Sequence, residues 1–223
     1  MLCTSKCLYF LCCYAVLSFA CPAVLVLCLK LRSYIILSGA AGADGRSTMR
    51  FTGHRKTDVH WCKDNCVDTP PVLKLMARIS EMTMVHGDHF ESMQLLRYHK
   101  GYYYKAHHDN AGGKQDTYTG GRVYTAFVYL NDVEEGGETH FPQLDIKVKP
   151  ERGSLLLWPS VQNADPKKVD FRTEHAALPV IKGHKFSANV WISQGAFQLA
   201  HNMGCANTPI TTAADETRTH DGL

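Results

Sequence analysis

The stretch Val123-Tyr-Thr-Ala-Phe-Val-Tyr-Leu130 is β-branched or aromatic at most positions and follows the turn pair Gly120-Gly121, which makes it a strand and sets the class of the fold. Working outward, runs of the same kind recur upstream at Met93 to Tyr98 and Tyr102 to His108. Downstream they recur at Ile146 to Lys149, Leu155 to Trp158, Ala176 to Ile181 and Phe186 to Ile192. Turn residues punctuate them: His99-Lys-Gly101, Glu135-Gly-Gly137, Glu151-Arg-Gly153 and Lys182-Gly-His184. Short strands at such spacing describe a β-sandwich or barrel, so the chain is expected to be mainly β.

One flanking helix is expected. Thr69-Pro70-Pro71 is a helix start, and Val72, Leu75, Met76, Ile79 and Met82 fall on one apolar face, a packing element rather than a site. Before it, residues 38–60 are small and polar without periodicity and read as a linker. From Cys7 to Leu29 no charge occurs for 23 positions, long enough for a helix to span a bilayer, so residues 1–37 are expected to be a single-pass anchor with its flanks. Ala41-Gly42-Ala43 offers the competing reading of a cleaved signal. Lys6 on one side and Lys30 and Arg32 on the other leave orientation open. Residues 61–205 form the folded domain, and the Thr-rich residues 206–223 a disordered tail. With 223 residues there is room for one span and one domain, and a net charge of +3 gives no basis for a nucleic-acid groove. Of nine cysteines, six lie in or beside the apolar run, leaving Cys62, Cys66 and Cys205. Cys62 and Cys66 could be a disulfide or two thiols; zinc would need further ligands that do not follow.

Chemistry concentrates at the end of the run Tyr104-Lys-Ala-His107-His108-Asp109. Alternation along a strand projects His107 and Asp109 from one face and His108 from the other. With a distant third ligand, His175, they would make a two-histidine, one-carboxylate facial set, the arrangement iron(II) uses with oxygen. A His-x-Asp triplet is common by chance, and a lone histidine is more often a hydrogen-bonded structural residue. The segment His175-Ala-Ala-Leu-Pro179-Val-Ile-Lys-Gly183-His-Lys185 adds weight, because Lys185 opens an apolar run and a lysine pointing into a barrel calls for an anion.

Four ordered motifs then carry a resemblance: Tyr98-x-x-Gly101-x-x-Tyr104-x-x-His107-x-Asp109; Tyr129-Leu-Asn-Asp-Val-Glu-Glu-Gly-Gly-Glu-Thr139-His-Phe141-Pro; Val148-Lys-Pro-Glu-Arg-Gly153-Ser-Leu-Leu-Leu-Trp158; and His175-x-x-x-Pro179-Val-x-x-Gly183-x-Lys185. Together, over roughly Ser47 to Cys205, the chain resembles the catalytic domain of prolyl 4-hydroxylases. The resemblance implies a double-stranded β-helix, a jelly-roll barrel preceded here by the N-terminal transmembrane helix. It implies Fe(2+) held by His107, Asp109 and His175, and 2-oxoglutarate held by Lys185 with help from Tyr98 and Thr139. Tyr104 and Arg122 match positions lining a peptide groove, and Trp191 an aromatic of the last strand. The implied reaction hydroxylates C4 of a peptidyl proline while 2-oxoglutarate becomes succinate and CO2, with L-ascorbate restoring oxidised iron. The implied placement is the endoplasmic reticulum or Golgi membrane with the catalytic domain luminal.

Two other readings remain at this point. His107-His-Asp109-Asn110 also resembles the start of nucleic-acid demethylating oxygenases, though these generally carry arginine where Lys185 stands, so another oxygenase substrate is the nearer rival. The N-terminus lacks outer strands expected of such a barrel, which favours a non-catalytic barrel or a shortened domain.

Overall fold

The computed structural model of the chain describes residues 29–30, 48–51, 53–110 and 119–204. Its elements in chain order are β1 (Leu29–Lys30), β2 (Thr48–Phe51), β3 (Arg55–Trp61), α1 (Pro70–Thr83), β4 (Gln94–Tyr98), β5 (Tyr103–His107), β6 (Arg122–Tyr129), β7 (Glu135–Gly136), β8 (Thr139–Phe141), β9 (Ile146–Val148), β10 (Ser154–Pro159), β11 (Val161–Gln162), β12 (Asp165–Val169), β13 (His175–Ala177), β14 (Val180–Lys182), β15 (Lys185–Ser193) and α2 (Phe197–Asn202). The main sheet runs β1-β10-β6-β15-β4-β3-β5-β13-β8-β9 with β2 on β3, and β11–β12 and β14–β7 form two small ladders. Every pairing between these strands is antiparallel. The molecule is thus mainly β, a curled antiparallel sheet consistent with the jelly-roll expectation.

Period-two alternation builds a core on each face of this sheet. Ala126, Val128, Leu155, Ala188, Val190 and Ile192 face α1, which buries Val72, Leu75 and Ile79 against them. At roughly 2 kcal/mol for each of those side chains, the apolar stripe accounts for the docking of the helix. Phe127, Tyr129, Leu156 and Trp158 from the same strands turn into the curl and pack with Val59, Leu96, Tyr98, Phe141 and Val180. Pro70 opens α1 where its missing N–H is harmless, and Met84 ends it in the left-handed region at φ 57°. Cys62 and Cys66 are joined as a disulfide buried beside α1, which decides between the readings left open above.

Two expectations need correcting. The linker over 38–60 is not one throughout: Thr48–Phe51 is a strand, and β3 lies inside the sheet between β4 and β5 with Thr57, Asp58 and Val59 buried. Alternation is masked there because Asp58 is a buried carboxylate, whose Oδ2 accepts from Arg97 Nε at 2.8 Å and is approached by His99 Nε2 at 3.2 Å. Two strands, β2 and β3, thus precede α1 where no strand was expected. The run Ala176 to Ile181 is two strands, since Pro179 offers no N–H to the ladder; β13 pairs with β5 and β8, and β14 turns away to β7. The expected anchor core and the tail lie outside the described residues, except that Leu29 and Lys30 pair with Leu155 and Ser154. Among the described residues no helix is long and apolar enough to cross a membrane.

Candidate metal centre

Pairing of β5 with β13 sets His107 directly opposite His175, and Asp109 follows two residues on. One donor atom from each of the three lies within 4.8 Å of the others. The His107 and His175 Nε2 atoms stand 3.8 and 3.6 Å from the Asp109 carboxylate. Each ring's other nitrogen is already committed: His107 Nδ1–H donates to Lys105 O and His175 Nδ1–H to Thr173 O, both at 2.9 Å. That fixes the tautomer and leaves the Nε2 lone pairs of both rings aimed at one point, the second-shell logic of a metal-ligating histidine.

The Asp109 side chain is only 5% exposed, and its Oδ2 accepts from Thr125 Oγ1 at 2.6 Å. Burial alone would raise its pKa, but His175, His107 and the Thr125 hydroxyl outweigh it and hold the carboxyl below its ordinary value. Burial, reinforced by His175, pulls His107 down to about 4, so the ring is neutral at physiological pH. Two imidazoles whose Nδ1–H groups are already bonded, with one ionised carboxylate, fit a divalent ion, and with no thiolate among the donors the set suits iron(II). Among the described residues, the cysteines Cys62 and Cys66 are taken up by their disulfide.

Deeper in the curl, Lys185 is fully buried where β15 pairs with β4, its Cα partner being Tyr98. Its Nζ donates to Gly137 O at 2.8 Å and lies 5.4, 5.1 and 5.2 Å from the ring centres of Tyr98, Phe127 and Tyr129. No carboxylate among the described residues reaches ion-pair distance, and burial pulls the ammonium down to about 7, with Glu138 opposing only from farther off. An unneutralised buried cation is an anion site. Thr139 is buried beside it and accepts from Tyr129 Oη at 2.6 Å, and burial raises the Tyr98 phenol. A diacid anchored at Lys185 would thus meet neutral hydroxyl groups. From Lys185 the aromatic lining runs through Phe127 and Trp158 to His175, whose ring centre is 4.7 Å from that of Trp158.

Of the two groove residues, Tyr104 stacks on His107 with ring centres 3.6 Å apart. Arg122 is engaged otherwise than as an open groove residue: its Nε and Nη2 donate to the two oxygens of Glu91 at 2.6 and 2.7 Å, and its guanidinium lies 3.7 Å over the Trp191 ring. Nη1 also reaches Asp109 O at 3.5 Å. Sequence reasoning missed Glu91, Thr125, Phe127 and Gly137. Period-two alternation could have placed Thr125, Phe127 and Tyr129 on one face, whereas nothing local announces Glu91.

Comparison with known proteins agrees with this geometry. Residues 93–193 match the sequence model of the 2OG-Fe(II) oxygenase superfamily. The chain is 34% identical over 143 residues to "Probable prolyl 4-hydroxylase 3" of Arabidopsis thaliana, covering 55% of this chain and 49% of that protein. It is 32% identical over 133 residues to the prolyl 4-hydroxylase subunit alpha-1 of Gallus gallus, covering 57% of this chain and 25% of that one. Among solved structures, the 2OG complex of the viral collagen prolyl hydroxylase from Paramecium Bursaria Chlorella virus-1 is similar with a TM-score of 0.55 and 31% identity, over 63% of this chain and 80% of that one. The chain therefore spans about half the length of its plant relative and a quarter of the animal subunit.

Proposed function

The chain belongs to the 2OG-Fe(II) oxygenase superfamily, with a domain of the prolyl 4-hydroxylase type, and from that premise we propose that it hydroxylates C4 of proline in a peptide or protein. The observation that carries this is the pairing of a complete two-histidine, one-carboxylate set with a buried lysine that no carboxylate among the described residues meets at ion-pair distance. His107, Asp109 and His175 would hold iron(II), and Lys185, with Tyr98 and Thr139, the far carboxylate of 2-oxoglutarate. When bound, these supply oxygen activation coupled to decarboxylation, giving succinate and CO2. The chain's own residues orient the reactants: Thr125 fixes the rotamer of Asp109, and Lys105 O and Thr173 O fix the two imidazoles. Tyr104, half-buried over His107, offers a ring face to a prolyl group, and Arg122, gripped by Glu91, borders the same place. Ascorbate is proposed as the reductant of uncoupled cycles.

A luminal, membrane-anchored placement in the endoplasmic reticulum or Golgi is likewise part of the proposal. The Cys62–Cys66 disulfide supports an oxidising compartment, and the apolar run from Cys7 to Leu29 supports the anchor.

The test is turnover by the full chain with iron(II), 2-oxoglutarate and a proline-rich peptide. Succinate should form together with one added oxygen per modified proline. Succinate without peptide oxidation would point to a different substrate, and no metal binding to a non-catalytic barrel. His175→Ala should lose metal and turnover together, whereas Lys185→Arg should raise the 2-oxoglutarate requirement with metal retained.

A further inference from the structure

The three donors arrive from two strand ends: His107 closes β5 with Asp109 in the turn after it, and His175 opens β13 directly after the turn Phe171–Thr173. We propose that His108 is a positioning residue for the metal centre, its Nε2–H tying the Asp109 turn to the turn that precedes His175. The inference rests on the metal-centre reading above.

Strand alternation sends the His108 side chain away from the metal face, towards the 3-10 turn Phe171–Thr173 that precedes His175. Its tautomer follows from its neighbours. The Asn110 N–H donates to Nδ1 at 3.2 Å, so the proton resides on Nε2. That N–H is shared between Asp170 O at 2.9 Å and Thr173 Oγ1 at 3.2 Å. Thr173 is the residue whose carbonyl accepts from His175 Nδ1, and its own hydroxyl donates to Asp170 O at 2.9 Å. Two residues thus link the His108 ring to the His175 ring.

The receiving turn is stiff enough to transmit position. Thr173 and Asp170 are buried, and the Asp170 carboxylate accepts from Arg172 N, Nε and Nη2 at 3.1, 2.8 and 2.6 Å. The ladder alone is a weaker tie. The β5–β13 pairing ends at His107 and His175, its register is irregular between His175 and Ala177, and Asp109 lies beyond it. Thr125 and Arg122 hold Asp109 itself, whereas His108 reaches from beside Asp109 to the turn that precedes the distal histidine. Holding donors at ligand spacing before the ion arrives strengthens binding, and loss of such outer partners typically weakens it by about 10–100-fold.

The test uses cobalt(II) as a spectroscopic stand-in, titrated into the metal-free full chain, with its visible absorption, its release to a chelator and the thermal midpoint of the metal-free protein recorded together. His108→Phe removes both polar contacts. His108→Asn can restore only the acceptor facing Asn110 N–H, and His108→Gln only the donor facing Asp170 O. The Phe and Asn variants should bind cobalt(II) about tenfold or more weaklier and release it faster, with midpoints near wild type, while Gln stays close to wild type. Wild-type affinity in Phe and Asn overturns the proposal. So does a Gln variant as weak as Phe, or a loss of affinity that follows the thermal midpoint. If Phe does not fold, the Asn and Gln pair decides alone, and failure of both to fold would make His108 a folding residue instead. A wild-type chain that binds no cobalt(II) overturns the metal-centre reading itself.

Discussion

The Lys185 ammonium is fully buried, 2.8 Å from the Gly137 carbonyl, with three aromatic rings centred between 5.1 and 5.4 Å away. Burial lowers its pKa from 10.5 to about 7, while an unfolded chain keeps the proton up to the ordinary value. Between those two pH values the unfolded state binds more protons, so this group makes stability rise with pH; below about 7 the penalty is fully present. Lys185→Met should therefore stabilise the ligand-free protein at pH 7 by about 1–4 kcal/mol. The advantage should shrink towards pH 9 by up to about 1.4 kcal/mol per unit. Denaturant titrations of both chains at several pH values check this, and a variant less stable than wild type at pH 7 contradicts it. The same proton governs ligand binding: wild-type affinity for 2-oxoglutarate should fall above pH 7, by up to about tenfold per unit, because only the charged amine attracts the diacid. Lys185 was legible in the sequence as a lone charge heading an apolar run. Thr125 and Glu91 were not, because they meet Asp109 and Arg122 only through the curl of the sheet, from 16 and 31 residues away.

At the level of elements, the strands that read clearly are those with both faces apolar in the middle of the sheet, such as β6 and β15. β3 escaped because Arg55, Lys56, Asp58 and His60 make its pattern look solvated, although Asp58 is buried and paired across the ladder. In the β7–β14 ladder, Glu135-Gly-Gly137 was legible only as a turn and Val180 and Ile181 only as the end of a longer strand, yet the ladder positions the lysine's acceptor. Gly136 holds φ +75°, and a Cβ there would lie 2.4 Å from Pro179 O and 2.8 Å from Ile181 N, both backbone atoms that cannot swing aside. Gly136→Ala should cost about 2–4 kcal/mol in unfolding free energy. It should also weaken 2-oxoglutarate binding, since Gly137 O moves with it, while cobalt(II) affinity stays near wild type. Gly87→Ala, with nothing within 4 Å of the added carbon, is the control and should shift stability by no more than about 0.5 kcal/mol. Equal stabilities for the two variants would show that β7 and β14 separate freely.

For the whole molecule, the class of fold could be read from the sequence because strands and turns announce themselves locally, and the candidate donors because four ordered motifs together bring distant His175 to His107 and Asp109. The closeness of metal set and anion site could not, since it arises from pairing β5 with β13 and β15 with β4 across the sheet. On the proposed function, the two ligands should therefore bind with thermodynamic coupling. A ligand that binds only the folded chain stabilises it by about 2.7 kcal/mol at a hundredfold excess over its Kd. For a domain of this size that corresponds to roughly 5–11 °C in Tm. Cobalt(II) alone should give a shift of this order, and 2-oxoglutarate alone a smaller one, because Lys185 then holds one carboxylate while the other end lacks its metal partner. Added together they should exceed the sum of the separate shifts. His175→Ala should abolish the metal shift and the excess. Lys185→Met should keep the metal shift and lose the 2-oxoglutarate increment, and an increment that survived there would remove Lys185 as the anchor and leave the buried amine unexplained.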